Sequence, residues 1–369
     1  MKDKFRGKKL KDTRISVKPF VYSIPSVSSV SIKLLILLCL QVVMLLITGS
    51  ISAFLVVMTS LAGALVAAIL NYYIRKEAFY NIMNLAIQGI LIGLLLPETY
   101  PPLTAFVISF STIIISRGIV FKGINAWVNA PAIAIIIAWY IGNIYFPQFA
   151  LNSELLTMKN SSVYLIQNGY FPTYSFDSPV TQFLNKNIFS IANVSIPEGF
   201  VSLLWDSNSI IPAFRFNLLT IVSSIIIFSD NSFSLIIPSL FITVYAVLVR
   251  IFVPYLFGGE LNQGDIILAL LTSGILFSLV FMFQWYGTTP VTVAGKIILG
   301  ILSGIVAFGI IGCGTSPVGM VYTIICSNII SMIIRIFEEK KNDISTGKVI
   351  AKMSAKLEAE KEERNGARK

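Results

Sequence analysis

The feature that most constrains this chain is a succession of apolar runs, most near the length of a bilayer crossing, separated by short polar breaks. They lie at about 32–50, 51–72, 82–97, 102–117, 128–147, 217–229, 232–255, 265–284, 296–312 and 317–337. A helix needs roughly 20 apolar residues to cross hydrocarbon, and only a backbone that satisfies its own hydrogen bonds is tolerated there. The two shortest runs, 82–97 and 217–229, suit tilted or re-entrant helices. Composition agrees, with 55% hydrophobic residues, 12% charged residues and a mean hydropathy of +0.80, outside the soluble range. The expectation is an all-α integral membrane protein with about ten transmembrane helices.

The net charge of +10 is concentrated at the ends: eight Lys/Arg fall within the first 18 residues and ten from Arg335 onward. Such flanking charges belong to a multi-pass membrane protein and argue against a nucleic-acid partner. If both termini are cytoplasmic, Arg75, Lys76, Arg117, Lys122 and Lys296 also fall inside. The 148–214 segment then faces outward, with only Lys159 and Lys186. Arg250, near the outer end of its span, has no account here beyond snorkelling. The basic, polar start leads into a full-length span rather than a short signal core, so it is expected to stay attached. The chain thus divides into a basic cytoplasmic segment (1–30), a first transmembrane half (31–147), an extracytoplasmic segment (148–214), a second half (215–337) and a charged tail (338–369). The tail mixes both charge signs at helical spacing, as a solvated helix does.

Cys39, Cys313 and Cys326 lie in or beside apolar runs without CxxC spacing, and the chain has no histidine. Neither a disulfide framework nor a zinc site is indicated, and His-based acid/base work and His haem ligation are excluded. No Ser/His/Asp set can exist, and no GxxxxGK[ST] loop appears, so no catalytic residue is assigned. The two acids of "GGELNQGD" (258–265) read as loop or capping residues. Any electrons handled by this chain require an organic carrier.

The stretch "FMFQWYGTTPVTVAGK" (281–296) interrupts an apolar run with Gly287, Thr288, Thr289 and Pro290. Two readings stand. It is a cytoplasmic loop, or it is a broken helix whose free backbone groups and hydroxyls (Thr288, Thr289, Thr292) face a bound molecule. A weak repeat bears on the choice: "GILIGLLLPETYPPLT" from Gly89 resembles "GILFSLVFMFQWYGTTPVT" from Gly274. Pro131 follows Pro102 by 29 residues and Pro317 follows Pro290 by 27. A five-span repeat forces the second half to enter the membrane in the opposite sense, giving two inverted five-helix halves with a site between them. The first-half counterpart is "FKGINAWVNAPAI", where Asn125 and Asn129 stand four apart. They either meet a polar ring edge or cap the next helix.

These residues resemble a known family: the D component of the Rnf electron-transport complex (RnfD) and, more distantly, the B component of the sodium-translocating NADH:quinone reductase. The resemblance runs from about residue 16 to 337. It is carried by "GDIILALLTSGILFSLVFM" (264–282), "TTPVT" (288–292), "SPVGMVYTIICSN" (316–328) and "FKGINAWVNAPA". Val318 stands where the family has an acid, Lys122 stands for a glycine, and "MFQWY" (282–286) replaces Met-Ala-Thr-Asp-Pro, so Trp285 takes the place of an intramembrane carboxylate. The resemblance implies about ten helices in two inverted halves and FMN joined through a phosphoester to a threonine between spans five and six. It also leaves room for a second, non-covalent flavin. The attachment motif Ser-Gly-Ala-Thr is matched by "DSPVTQFL", giving Ser178 and Thr181, with bulkier Pro179 and Val180 between them. Flavin attachment asks for an extended, uncrowded backbone at the threonine.

The implied function is a flavin-carrying electron-transfer subunit of an ion-translocating oxidoreductase complex of the ferredoxin/NAD type. The implied location is the bacterial inner membrane, among the A, B, C, E and G components of an Rnf-type complex and membrane lipid, with little activity alone. The implied cofactor contacts are Thr181, Ser178, Asn125, Asn129, Thr288 and Thr289, with no metal. Two alternatives remain. One is a small-solute channel of the urea or ammonium kind, which also uses inverted five-span repeats; the other is a flavin-free structural subunit of the same complex.

Overall fold

The computed structural model describes residues 26–75, 80–116, 129–147, 162, 165–166, 168–193, 195–229, 233–256, 259–285, 287–312 and 317–366. Asn125 lies outside them. The first half comprises α1 (Val27–Ile47), α2 (Ile51–Arg75), α3 (Tyr80–Leu95), α4 (Pro102–Ile115) and α5 (Ala130–Gly142). Two short helices follow beyond the membrane run, α6 (Asp177–Asn187) and α7 (Phe200–Trp205). The second half comprises α8 (Asn217–Ser229), α9 (Ile236–Leu256), α10 (Ile266–Thr272), α11 (Ile275–Phe281), α12 (Val293–Ile311) and α13 (Gly319–Gly366). Among the described residues five helices, α1, α2, α9, α12 and α13, are long and apolar enough to cross a membrane, and shorter apolar helices fill other runs read as spans.

Local sequence explains the boundaries. Ser26 caps α1 by accepting from the Ser29 N–H at 3.2 Å. The same helix ends at Gly49 in left-handed conformation, with the Ser50 N–H returning to the Leu45 carbonyl at 2.9 Å. Pro102 and Pro131 sit in the first turns of α4 and α5, where a missing N–H costs nothing.

The halves repeat each other in packing. Helix α2 lies on α4 as α9 lies on α12, and α1 lies on α3 as α8 lies on α11. Glycine allows close approach in both: a Cβ on Gly63 would stand 2.5 Å from the Phe106 carbonyl oxygen, and one on Gly304 would stand 3.0 Å from that of Phe241. Among the described residues each half presents five units, counting α10–α11 as one, the number that the inverted-repeat expectation requires. Gln41 on α1 joins the halves by donating to Thr220 Oγ1 on α8 at 3.1 Å, both buried.

One span departs from expectation. The run 265–284 is not a single helix: it breaks at Ser273–Gly274, where Gly274 adopts φ +69 and the ring of Phe214 occupies the place of a Cβ. The carbonyl of Leu271, freed at the end of α10, accepts from Asn217 Nδ2 at 3.0 Å, so the break is satisfied from within the protein.

Arg250 also gains a role. Pro254 lacks the N–H that would bond the Arg250 carbonyl four residues earlier. The Gly264 N–H takes that carbonyl at 3.0 Å, and Arg250 Nη1 donates to the Gly264 carbonyl at 2.9 Å. The charged tail is the direct continuation of the last span, since α13 runs unbroken from Gly319 to Gly366.

Candidate functional site

Helix α6 carries the residues that the sequence singles out beyond the membrane, and its inward face is polar. Asp177, Thr181 and Asn185 stand four apart; Asp177 and Asn185 engage the α6–α7 connection or α7 itself, and Thr181 engages Asp177. Asp177 Oδ1 accepts from the Gly199 N–H at 2.7 Å and from Thr181 Oγ1 at 3.0 Å. Its Oδ2 accepts from the Ser202 N–H at 2.6 Å and from Ser202 Oγ at 2.7 Å. Asn185 pairs with both backbone groups of Ile196, at 2.9 and 2.8 Å. The Asp177 carboxylate thus caps α7, whose own N-cap, Gly199, has no side chain to do so. Burial pushes its pKa up, but the bonds from Ser202, Gly199 and Thr181 outweigh this and hold it below the usual carboxylate value.

Thr181 is 2% exposed and helical. The expectation of an extended, uncrowded backbone there is corrected: Pro179 occupies the first turn, where proline is accepted, and the helix continues through the threonine. Ser178 is turned away from it, donating to Glu198 Oε1 at 2.8 Å and accepting from Gln182 Nε2 at 3.2 Å.

Beyond α7 a buried ion pair secures the segment. Arg215 donates through Nε to Asp206 Oδ1 at 2.9 Å and through Nη2 to Oδ2 at 2.5 Å, and Nη1 reaches Ser50 Oγ at the α1–α2 turn. Tyr174 contacts the same carboxylate at 3.4 Å. Burial first, then the charge of Asp206, raises the Tyr174 pKa, while Arg215 opposes them.

The junction between halves brings Asn129 to the end of α11. Asn129 occupies the N-cap position of α5 without capping it; its Nδ2 donates instead to the Met282 carbonyl at 2.8 Å, fully buried. Its Oδ1 has no partner among the described residues. Gln284 pairs with both backbone groups of Ser234, at 2.9 and 2.8 Å.

The loop that the sequence left open closes on the protein. Thr288 Oγ1 donates to the Trp285 carbonyl at 2.7 Å, and Thr292 caps α12 through the Gly295 N–H at 3.0 Å. Helix α13 grips the rest. Glu338 accepts from the N–H groups of Val291 and Thr292 at 3.0 and 3.1 Å and from the Thr292 hydroxyl, while Arg335 donates to the Gly287 carbonyl. Three backbone groups here, the Gly287 carbonyl and the N–H groups of Val291 and Thr292, are engaged by α13, and the Thr288 N–H bonds to the Trp285 carbonyl at 3.0 Å. Thr289 is half-buried.

The family model described as NQR2, RnfD, RnfE matches residues 14–343, nearly the whole chain. The chain belongs to this family. Its members are subunits of ion-translocating oxidoreductases, which places this chain in a multi-subunit membrane complex of the Rnf/Nqr type. No curated protein matches the chain.

An FMN phosphoester does not fit Thr181 in this fold. The hydroxyl is buried and already donates to Asp177. Esterification would remove that donor and set a phosphodiester anion against the carboxylate. Two unit charges about 4 Å apart repel by about 4 kcal/mol at the effective dielectric of a protein. A cavity of about 290 Å³ lies between Phe171, Ser207–Ile210, Leu268 and Thr272 at the end of α10, and Thr181 is not among its lining residues.

Sequence reasoning missed Asp177 as an anchor, the Asp206–Arg215 pair, Asn217 and Glu338. The Asp177/Thr181/Asn185 spacing was a readable helical signal. The others join residues far apart in the chain or across a bend, and nothing in local sequence links them.

Proposed function

We propose that this chain is a flavin-free membrane subunit of an Rnf/Nqr-type ion-translocating oxidoreductase, serving as part of its transmembrane framework rather than as a covalent flavin carrier. Family membership supports the complex. The observation that carries the rest is the buried Thr181 hydroxyl committed to Asp177. The positions where the family resemblance implies a carboxylate and small motif residues, here Trp285, Pro179 and Val180, fit the same reading. Electron carriage between a ferredoxin-type donor and a nicotinamide acceptor then rests with other members of the assembly, and this chain supplies the inverted-repeat body on which they are held.

The test is the intact mass of the chain purified from a host that also makes the flavin transferase, with in-gel fluorescence of the denatured band. The expected result is the bare polypeptide mass and a dark band, together with unchanged electron flux through a complex carrying Thr181→Val. An FMN adduct mapping to the peptide that contains Thr181 would overturn the proposal.

A further inference from the structure

Helix α6 buries Asp177 and Thr181, with Asn185 half-buried, on one side but leaves a separate apolar flank open. Phe176, Val180 and Phe183 follow one another at i, i+4 and i+7, and all three are exposed, Phe183 by 62%. At 100° per residue these three fall within about 60° of one another. Gln182 and Lys186, also exposed, lie on a different side. Farther along, Ile188 and Ile191 add exposed apolar surface. A helix with a polar buried face, an apolar flank and a polar remainder is not fully explained by its packing on α7.

The level of this flank relative to the bilayer follows from the ion pair. Arg215 ties Asp206 to Ser50, in the turn joining α1 to α2. That turn is flanked by Ile47 and Ile51, exposed by 70% and 65% at the ends of two membrane-length apolar helices, so it marks the edge of the lipid-facing belt. Asp206 is therefore held at that edge, and its neighbour Trp205 is 40% exposed there. The Phe176 ring meets the Trp205 ring edge-on at 5.9 Å and stacks on Tyr174 at 5.5 Å. Trp, Tyr and Phe collected at the end of an apolar belt are the composition of a membrane–water interface. From that aromatic cluster Val180 and Phe183 continue along α6 for only about 10 Å, at 1.5 Å per residue.

We propose that α6 is an interfacial helix, lying on the bilayer surface with Phe176, Val180 and Phe183 in the headgroup–acyl boundary and Gln182 and Lys186 in water. The occupant of the flank is phospholipid, because the flank is continuous, through Trp205 and the Ser50 turn, with the lipid-facing belt of the bundle. Interfacial helices bury an apolar face some 5–10 Å into this boundary, a depth that the Phe183 side chain can span from a helix lying flat. The inference is independent of whether the chain carries flavin, since it concerns the opposite side of the helix from Thr181.

The test uses the full chain in liposomes, with Cys39, Cys313 and Cys326 replaced by alanine and single spin labels introduced through Val180→Cys, Phe183→Cys, Gln182→Cys and Lys186→Cys. Accessibility to oxygen, which concentrates in lipid, is compared with accessibility to a water-soluble nickel chelate. The expected result is an oxygen-to-nickel ratio above one at Val180 and Phe183 and below one at Gln182 and Lys186. Nickel access at all four positions would overturn the proposal and leave the flank as a surface for a protein partner. Shielding of Val180 and Phe183 from both reagents would also overturn it, assigning the flank to residues 148–161 or to a second copy of the chain.

Discussion

Asp177→Ala tests the account of the α6–α7 unit most directly. The carboxylate is 3% exposed and accepts four hydrogen bonds, two of them from the backbone N–H groups of Gly199 and Ser202. The hydroxyls of Thr181 and Ser202 can rotate toward other acceptors, but the two N–H groups cannot. A buried donor left without a partner costs about 1–3 kcal/mol, so the substitution should destabilise the α6–α7 unit by about 4 kcal/mol. Tenfold in an equilibrium constant is about 1.4 kcal/mol, which makes the expected increase in local opening nearly three decades. Hydrogen exchange followed by mass spectrometry over residues 177–206 reads this directly, with α9 and α12 as internal references that should not change. The pH dependence carries a sign as well. Because the folded pKa is depressed, the stabilisation is fully present above the unfolded value near 3.9 and is lost as pH falls through the folded value, so protection should hold between neutrality and about pH 5 and fall only below about pH 4. If exchange across 177–206 in Asp177→Ala stayed within about tenfold of the parent, the capping argument, and with it the reason Thr181 is unavailable, would be wrong.

Three further outcomes follow from the same geometry. Asp206→Ala leaves Arg215 buried without its carboxylate and should cost about 3–5 kcal/mol, seen as a lower thermal midpoint in detergent; adding Arg215→Met should recover part of the loss, and a double variant no better than the single would contradict the pairing. Gly274→Ala puts a Cβ at positive φ against the Phe214 ring, where left-handed strain and overpacking together predict a loss of about 2–4 kcal/mol; a neutral effect on the thermal midpoint would mean that α10 and α11 are not broken as described. Glu338→Ala should speed exchange at Val291 and Thr292 by roughly tenfold, since it removes the exposed carboxylate that both N–H groups and the Thr292 hydroxyl donate to, a loss of about 1.4 kcal/mol, and no change would show that α13 does not hold the loop.

Much of the architecture was legible because bilayer physics leaves few choices. Apolar runs near crossing length had to be helices, and the recurrence of the same helix-on-helix pairings in both halves agrees with the repeat read between Gly89 and Gly274. The candidate site was far less legible. The motif around Thr181 pointed to an extended, uncrowded hydroxyl, whereas the threonine is helical and buried, because motif comparison registers the hydroxyl and not the carboxylate one helical turn earlier that accepts from it. Likewise, the threonines at 288–292 allowed two readings in the sequence, and the contacts that hold their loop come from Arg335 and Glu338, more than 40 positions away.

The sequence alone determined the solvent: the length and apolarity of its runs, its charged ends and its lack of histidine established a membrane-embedded helical protein without His chemistry, since these are properties of composition and local periodicity. Only the tertiary structure decided which polar groups are spoken for. Asn129 reaches Met282 rather than its own helix, Asp177 takes the Thr181 hydroxyl, and Arg215 ties Asp206 to Ser50. A hydrogen bond is settled by distance and direction in space: Asp177 and Thr181 share one helix and their spacing shows in the sequence, but the partners of Asn129 and Arg215 come from different elements, so no window of sequence contained those answers.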